Sequence, residues 1–116
     1  MRTLLVAVAL VCSTVLAFAA DPVGTYRVTG TNPGGGSSYH GTVKVTPTGK
    51  TYRVVWVVGG TRYVGTGIGT HDGLAVSYTS GNSTGLALYG ADGGNWEGVW
   101  TYSGGRDMGT EVWKRQ

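Results

Sequence analysis

Cysteine is almost missing from this chain, and the one present, Cys12, falls inside an N-terminal apolar run. Disulfide stapling and cysteine metal chemistry are therefore excluded for everything after position 20. Charge is scarce as well: 13% of residues are charged and the formal net charge is +3. That is too little to grip a nucleic-acid backbone, and no nucleic-acid partner is expected. Proline occurs three times and phenylalanine once. After residue 20 no apolar run approaches the ~20 residues of a membrane-spanning helix, and no window spaces its apolar residues at three and four as an amphipathic helix does.

Glycine and large rings are what the chain has in quantity. Its 22 glycines, four tryptophans and seven tyrosines all lie after residue 20. Low charge with regularly spaced rings argues for a packed fold rather than a disordered glycine-rich chain.

Residues 1–20 read as a signal peptide. Arg2 supplies the charged start, Leu4 to Leu16 the apolar run, and Ala17, Ala19 and Ala20 the small residues of a cleavage site. The expectation is an exported protein, periplasmic or secreted, whose residues 21–116 form one domain of about 96 residues.

That domain is written twice. Gly41, Gly49, Tyr52, Trp56, Gly60, Gly65, Thr66 and Ile68 recur as Gly85, Gly93, Trp96, Trp100, Gly104, Gly109, Thr110 and Val112, displaced by 44 positions throughout. The halves run about 24–69 and 73–114. Each alternates with a period of two between glycine turns, which predicts an all-β fold, an eight-stranded antiparallel up-and-down β-barrel made of two four-stranded meanders. The strands are expected near 24–31, 38–47, 51–58, 61–69, 73–79, 83–90, 95–102 and 107–114. Asn32 to Ser37 is the longest connection and is expected to form a lip over the barrel mouth.

A two-residue turn at Gly59-Gly60 sets Trp56 opposite Tyr63, Val54 opposite Gly65 and Tyr52 opposite Gly67. Large rings then lie beside bare backbone on one face, which is taken as the interior. Tyr26, Val28, Tyr39, Val43, Val45, Leu74, Val76, Tyr78, Ala87, Tyr89, Trp96, Trp100 and Tyr102 fall on the same face. Outside come Arg27, Lys44, Arg53 and Arg62, together with an apolar belt of Val55, Val57, Val64, Leu86, Leu88 and Val99. Such a belt predicts a homo-oligomer. Basic residues concentrate in the first half and acidic ones in the second, as solvated outer faces or as a dipole between the halves.

Gly24-Thr25-Tyr26 opens the first strand and Lys114-Arg115 closes the last. This resembles the calycin arrangement of lipocalins and avidins, in which a G-x-W at the barrel's start has its ring covered by a basic residue of the final strand. Tyr26 stands here in place of the tryptophan. The resemblance implies a pocket for a hydrophobic or biotin-like ligand, although Arg27-Val28-Thr29 does not match the polar ligand contacts of avidins. The runs Gly41 to Val45, Tyr52 to Trp56, Gly59-Gly60, Gly65 to Ile68 and Gly109 to Glu111 also resemble small exported bacterial proteins, some labelled fibronectin-binding, which implies an extracytoplasmic binding protein.

Catalytic signatures are lacking. His40 and His71 have no second ligand at metal spacing, the Gly65 to Gly69 run has no following helix to cradle phosphate, and no metal or cofactor is expected. Asp107 and Glu111 stand out. If Ser103-Gly104 turns as Gly59-Gly60 does, Asp107 faces Trp100 and Glu111 faces Trp96, so both carboxylates enter an aromatic interior as a ligand handle or an ion pair. A one-residue slip would instead turn Met108, Thr110 and Val112 inward and leave both acids in water. The sequence therefore predicts a non-enzymatic binding protein for a small or extended ligand, with Tyr52, Trp56, Tyr63, Trp96, Trp100, Asp107 and Glu111 as candidate ligand-binding residues. The alternative is an adhesion or inhibitor protein that contacts an extracellular partner, a matrix protein or a protease, through its outer face.

Overall fold

A computed structural model describes residues 20–116; residues 1–19, with Cys12 and nearly all of the proposed signal peptide, lie outside the described residues. The described chain contains eight strands: β1 Gly24–Thr31, β2 Ser38–Thr48, β3 Thr51–Val58, β4 Thr61–Gly69, β5 Gly73–Ser80, β6 Ser83–Asp92, β7 Asn95–Tyr102 and β8 Gly109–Arg115. Consecutive strands pair antiparallel and β1 also pairs with β8, closing a barrel. Closure leaves no free sheet edge, so every strand pairs with a neighbour on both sides. Among the described residues no helix is long and apolar enough to cross a membrane.

The two-residue period of the sequence becomes the two faces of the wall. Tyr26, Val28, Val43, Val45, Val54, Trp56, Leu74, Val76, Ala87, Tyr89, Trp96 and Trp113 are buried and form one core inside the barrel. Gly59 and Gly60 turn the β3–β4 hairpin with φ of 57° and 80°, values that cost glycine nothing and strain other residues. That turn fixes Trp56 opposite Tyr63 and Tyr52 opposite Gly67.

Rings fit inside so narrow a barrel because cross-strand glycines make room. Tyr39 is paired with Gly30, Tyr78 with Gly85, Tyr89 with Gly98 and Trp100 with Gly109. A Cβ on Gly98 would lie 2.7 Å from the Tyr89 ring, and one on Gly109 would lie 2.6 Å from Trp100 Nε1. Each glycine is the space its partner's ring occupies.

One end of the barrel is plugged. Arg115, at the end of β8, lies with its guanidinium carbon 4.7 Å from the centre of the Tyr26 ring. It donates to the carbonyls of Val23 at 2.8 Å, Asp21 at 3.0 Å and Gly94 at 2.9 Å, and to Tyr26 Oη at 2.8 Å. Tyr26 in turn donates to the Pro22 carbonyl at 2.6 Å. The cation over the first strand's ring ties the first and last strands together and is consistent with a calycin-like barrel.

The last hairpin departs from both expected registers. Trp100 pairs with Gly109 and Trp96 with Trp113, so Glu111 stands opposite Gly98 rather than Trp96. The strand has slid by two residues relative to a Ser103-Gly104 turn, and residues 103–108 form a loop pinned by Thr101 Oγ1 donating to the Asp107 carbonyl at 2.9 Å. Sliding by two places a glycine, not Asp107, beneath the Trp100 indole. It keeps the parity of β8, so Glu111 still points inward, while Asp107 is exposed in the loop and is no part of the interior.

Candidate binding cavity

At the end opposite Arg115 the barrel is open. The mouth leads into a cavity of about 520 Å³ lined by Tyr39, Trp56, Tyr63, Tyr78, Tyr89, Trp100 and Tyr102, with Val58, Asn32, Pro33, Ser83 and Thr84 at the rim and Glu111 below. The rings meet mostly edge to face: Tyr39 on Trp100 with centroids 6.1 Å apart, Tyr78 on Trp100 at 6.4 Å and Tyr63 on Tyr78 at 6.3 Å. These contacts fix the wall in place before any ligand arrives.

The 32–37 connection sits at this mouth, as its length suggested. Gly34 and Gly35 turn it with φ of 87° and 70°, and Asn32 closes it by donating from its amide to Ser37 Oγ at 2.8 Å. Asn32 and Pro33 face the cavity.

Glu111 is 6% exposed, the one buried charged side chain among the described residues. Four donors converge on it: Tyr89 Oη at 2.7 Å, Trp113 Nε1 at 2.9 Å and Trp56 Nε1 at 3.2 Å reach Oε1, and Tyr39 Oη at 2.6 Å reaches Oε2. An ionised carboxyl offers about four acceptor sites and no donor, which is what two phenols and two indoles need. Removing it from water is offset by these bonds rather than by a cation.

The phenols feel the arrangement. Burial pushes Tyr39 and Tyr89 well above the usual phenol range, and the neighbouring Glu111 charge pushes them further. Tyr78 is raised to about 12 by the same two causes in the same order. All three are held as neutral phenols at ordinary pH. The indole N–H of Trp100 is buried without an acceptor.

Of the residues singled out from the sequence, Trp56, Tyr63, Trp100 and Glu111 come together around this cavity. Tyr52, Trp96 and Asp107 do not. Tyr52 shares the inward face but sits at the plugged end, with its ring against Gly69, and Trp96 is 2% exposed in the same half of the barrel. Alternation alone puts Tyr39, Tyr78, Tyr89 and Tyr102 on the inner face without marking them as part of the site. Trp113 lies outside the faces assigned from the glycine turns. Counting two from an inward Glu111 would have placed it inside, where it packs on Tyr89 at 4.3 Å and on Tyr26 at 5.4 Å.

No protein-family model matches this chain, and a search of curated proteins finds no match.

Proposed function

We propose that this chain is an exported, non-enzymatic binding protein that takes a small or extended ligand into the open end of the barrel. The observation that carries the reading is the mouth itself: about 520 Å³, walled by rings that pack against one another, with a buried carboxylate at its base. Preformed apolar concavities of this size holding a few fixed polar groups suit small organic ligands. Glu111 is engaged by four donors, an arrangement that serves a fixed acceptor better than a group that must shuttle protons. Export rests on the N-terminal reading of residues 1–20.

Tryptophan fluorescence tests the proposal, since Trp56 and Trp100 line the cavity. A panel of neutral aromatics, sugars, amines and fatty acids is titrated into the protein. A saturable change is expected for at least one class, and it should weaken in Val58→Phe, which narrows the mouth. Silence across the panel, in fluorescence and calorimetry alike, would dismiss the cavity as a ligand site.

A second reading concerns the outer wall. Ile68, Ala75, Leu88 and Val99 are successive cross-strand partners on β4, β5, β6 and β7, and Ile68 and Leu88 are 62% and 60% exposed. With Leu86, Val57 and Met108 also exposed, this wall favours association of the barrel with a second copy.

A further inference from the structure

We infer that the cavity selects organic ammonium ions, ligands that carry a weakly hydrated cation on an apolar body. The inference rests on the mouth being a ligand site and goes on to name what it takes.

Seven rings and one acid line the cavity, and no lysine, arginine or histidine is among the lining residues. Tyrosine and tryptophan present electron-rich faces that attract a cation placed over them, most strongly where water is excluded. Glu111 adds a formal negative charge to the same enclosure. Its hydrogen bonds are unevenly shared, three on Oε1 and one on Oε2. Oε2, bonded to the cavity-lining Tyr39, therefore keeps acceptor capacity.

The field of that charge extends across the cavity, because it helps to raise Tyr39, Tyr78 and Tyr89, which stand on three different strands. An entering anion would meet the same repulsion with no base to relieve it. A small metal ion fits poorly as well. Calcium and magnesium need six or more oxygens, and Glu111 offers only part of one carboxylate, while no three of the described His, Cys, Asp and Glu side chains cluster. A large, soft cation needs no such shell. Its charge is met by ring faces and a carboxylate at short range, and its hydrocarbon part by Val58 and the remaining rings.

Calorimetric titration separates the possibilities with three benzyl probes: benzyltrimethylammonium, its uncharged carbon isostere neopentylbenzene, and the smaller anion phenylacetate. The cation is expected to bind at least about tenfold more tightly than the neutral isostere, a factor worth about 1.4 kcal/mol, and phenylacetate more weakly than either. Glu111→Gln should cut the preference for the cation. Should that variant fail to fold, Trp100→Leu, at the wall, should weaken the cation by about tenfold and leave the barrel's circular dichroism intact. Equal or tighter binding of neopentylbenzene or phenylacetate overturns the charge selectivity and leaves the cavity reading standing. Absence of binding by all three probes and by the broader panel overturns both, and an unchanged cation affinity in Trp100→Leu overturns the role of the rings.

Discussion

Tyr39 donates from its hydroxyl to Glu111 Oε2 at 2.6 Å, and the bond joins β2 to β8 over the intervening β1, where Gly30 is the cross-strand partner of both residues. With Trp56 on β3, Tyr89 on β6 and Trp113 on β8 bound to the other oxygen, a single carboxylate links four strands at the base of the cavity. Glu111→Leu should therefore destabilise the barrel by more than its change in polarity suggests, because two buried indoles and two phenols lose their acceptor together. Each hydrogen bond to a charged group is worth about 1.5–3 kcal/mol, and the loss should reach several kcal/mol in urea unfolding. Tyr39→Phe, which removes one donor and leaves the acceptor three others, should cost about 1–2 kcal/mol. If Glu111→Leu unfolds at the wild-type midpoint, the carboxylate is not a structural hub.

Trp100 and Gly109 set the register of the last hairpin. Even one methyl on Gly109 would press on the Trp100 indole, 2.6 Å from its nitrogen and 2.8 Å from Cε2, and on the Thr31 carbonyl. Gly109→Ala is expected to cost about 1–3 kcal/mol through overpacking and to red-shift tryptophan emission as the Trp100 ring is driven toward the mouth. Gly104→Ala, in the exposed turn where φ is 79°, would strain only the loop and should leave the emission unmoved. The same emission change in both variants would show that Gly109 does not position Trp100.

Most of the wall was legible in the sequence, because the period of two assigns faces and the Gly59-Gly60 turn pins the register between Trp56 and Tyr63. Depth was not. Alternation places Tyr52, Trp56, Trp96 and Trp100 on one face, yet only Trp56 and Trp100 reach the open end, since depth depends on how far each hairpin extends along the axis. The last hairpin escapes the local pattern for a related reason. Ser103-Gly104-Gly105 permits several turns, and the one adopted seats the Trp100 indole over Gly109, a packing fit that the turn residues themselves do not record. A slip of two residues preserves the face, so of the two registers the sequence leaves open, the inward one keeps the right face for Glu111 and loses Asp107 to the loop, while the outward one fails for Glu111.

Alkali should unfold the barrel. Tyr26, Tyr39, Tyr78 and Tyr89 are all raised above the ordinary phenol value of 10.0 with burial as the leading cause. Below pH 10 these phenols are neutral in both the folded and the unfolded chain, so their full contribution to stability is present. Above it the unfolded chain releases protons that the native state retains, and stability falls as pH climbs toward the folded values, of which that of Tyr78 is about 12. Tyrosinate absorbance and circular dichroism followed together between pH 9 and 13 should show these phenols ionising as structure is lost. Ionisation of all four in a barrel that keeps its dichroism would contradict their burial.

The outer wall supplies the last prediction. Leu88 and Leu86 are 60% and 58% exposed although both are large and aliphatic, and Ile68 and Met108 on neighbouring segments are 62% and 65% exposed. Burying one such side chain is worth about 1.5–3 kcal/mol. A second copy covering four of them would offset a large part of the cost of association, estimated at about 4–15 kcal/mol. The protein is expected to sediment as a dimer or larger at micromolar concentration, and Leu88→Lys to sediment as a folded monomer. Because Leu88 points away from the core, the substitution should leave the thermal stability of the isolated barrel nearly unchanged. Unfolding of Leu88→Lys would mean that this face packs inside the fold, and a wild-type protein that stays monomeric at every concentration would remove the oligomer altogether.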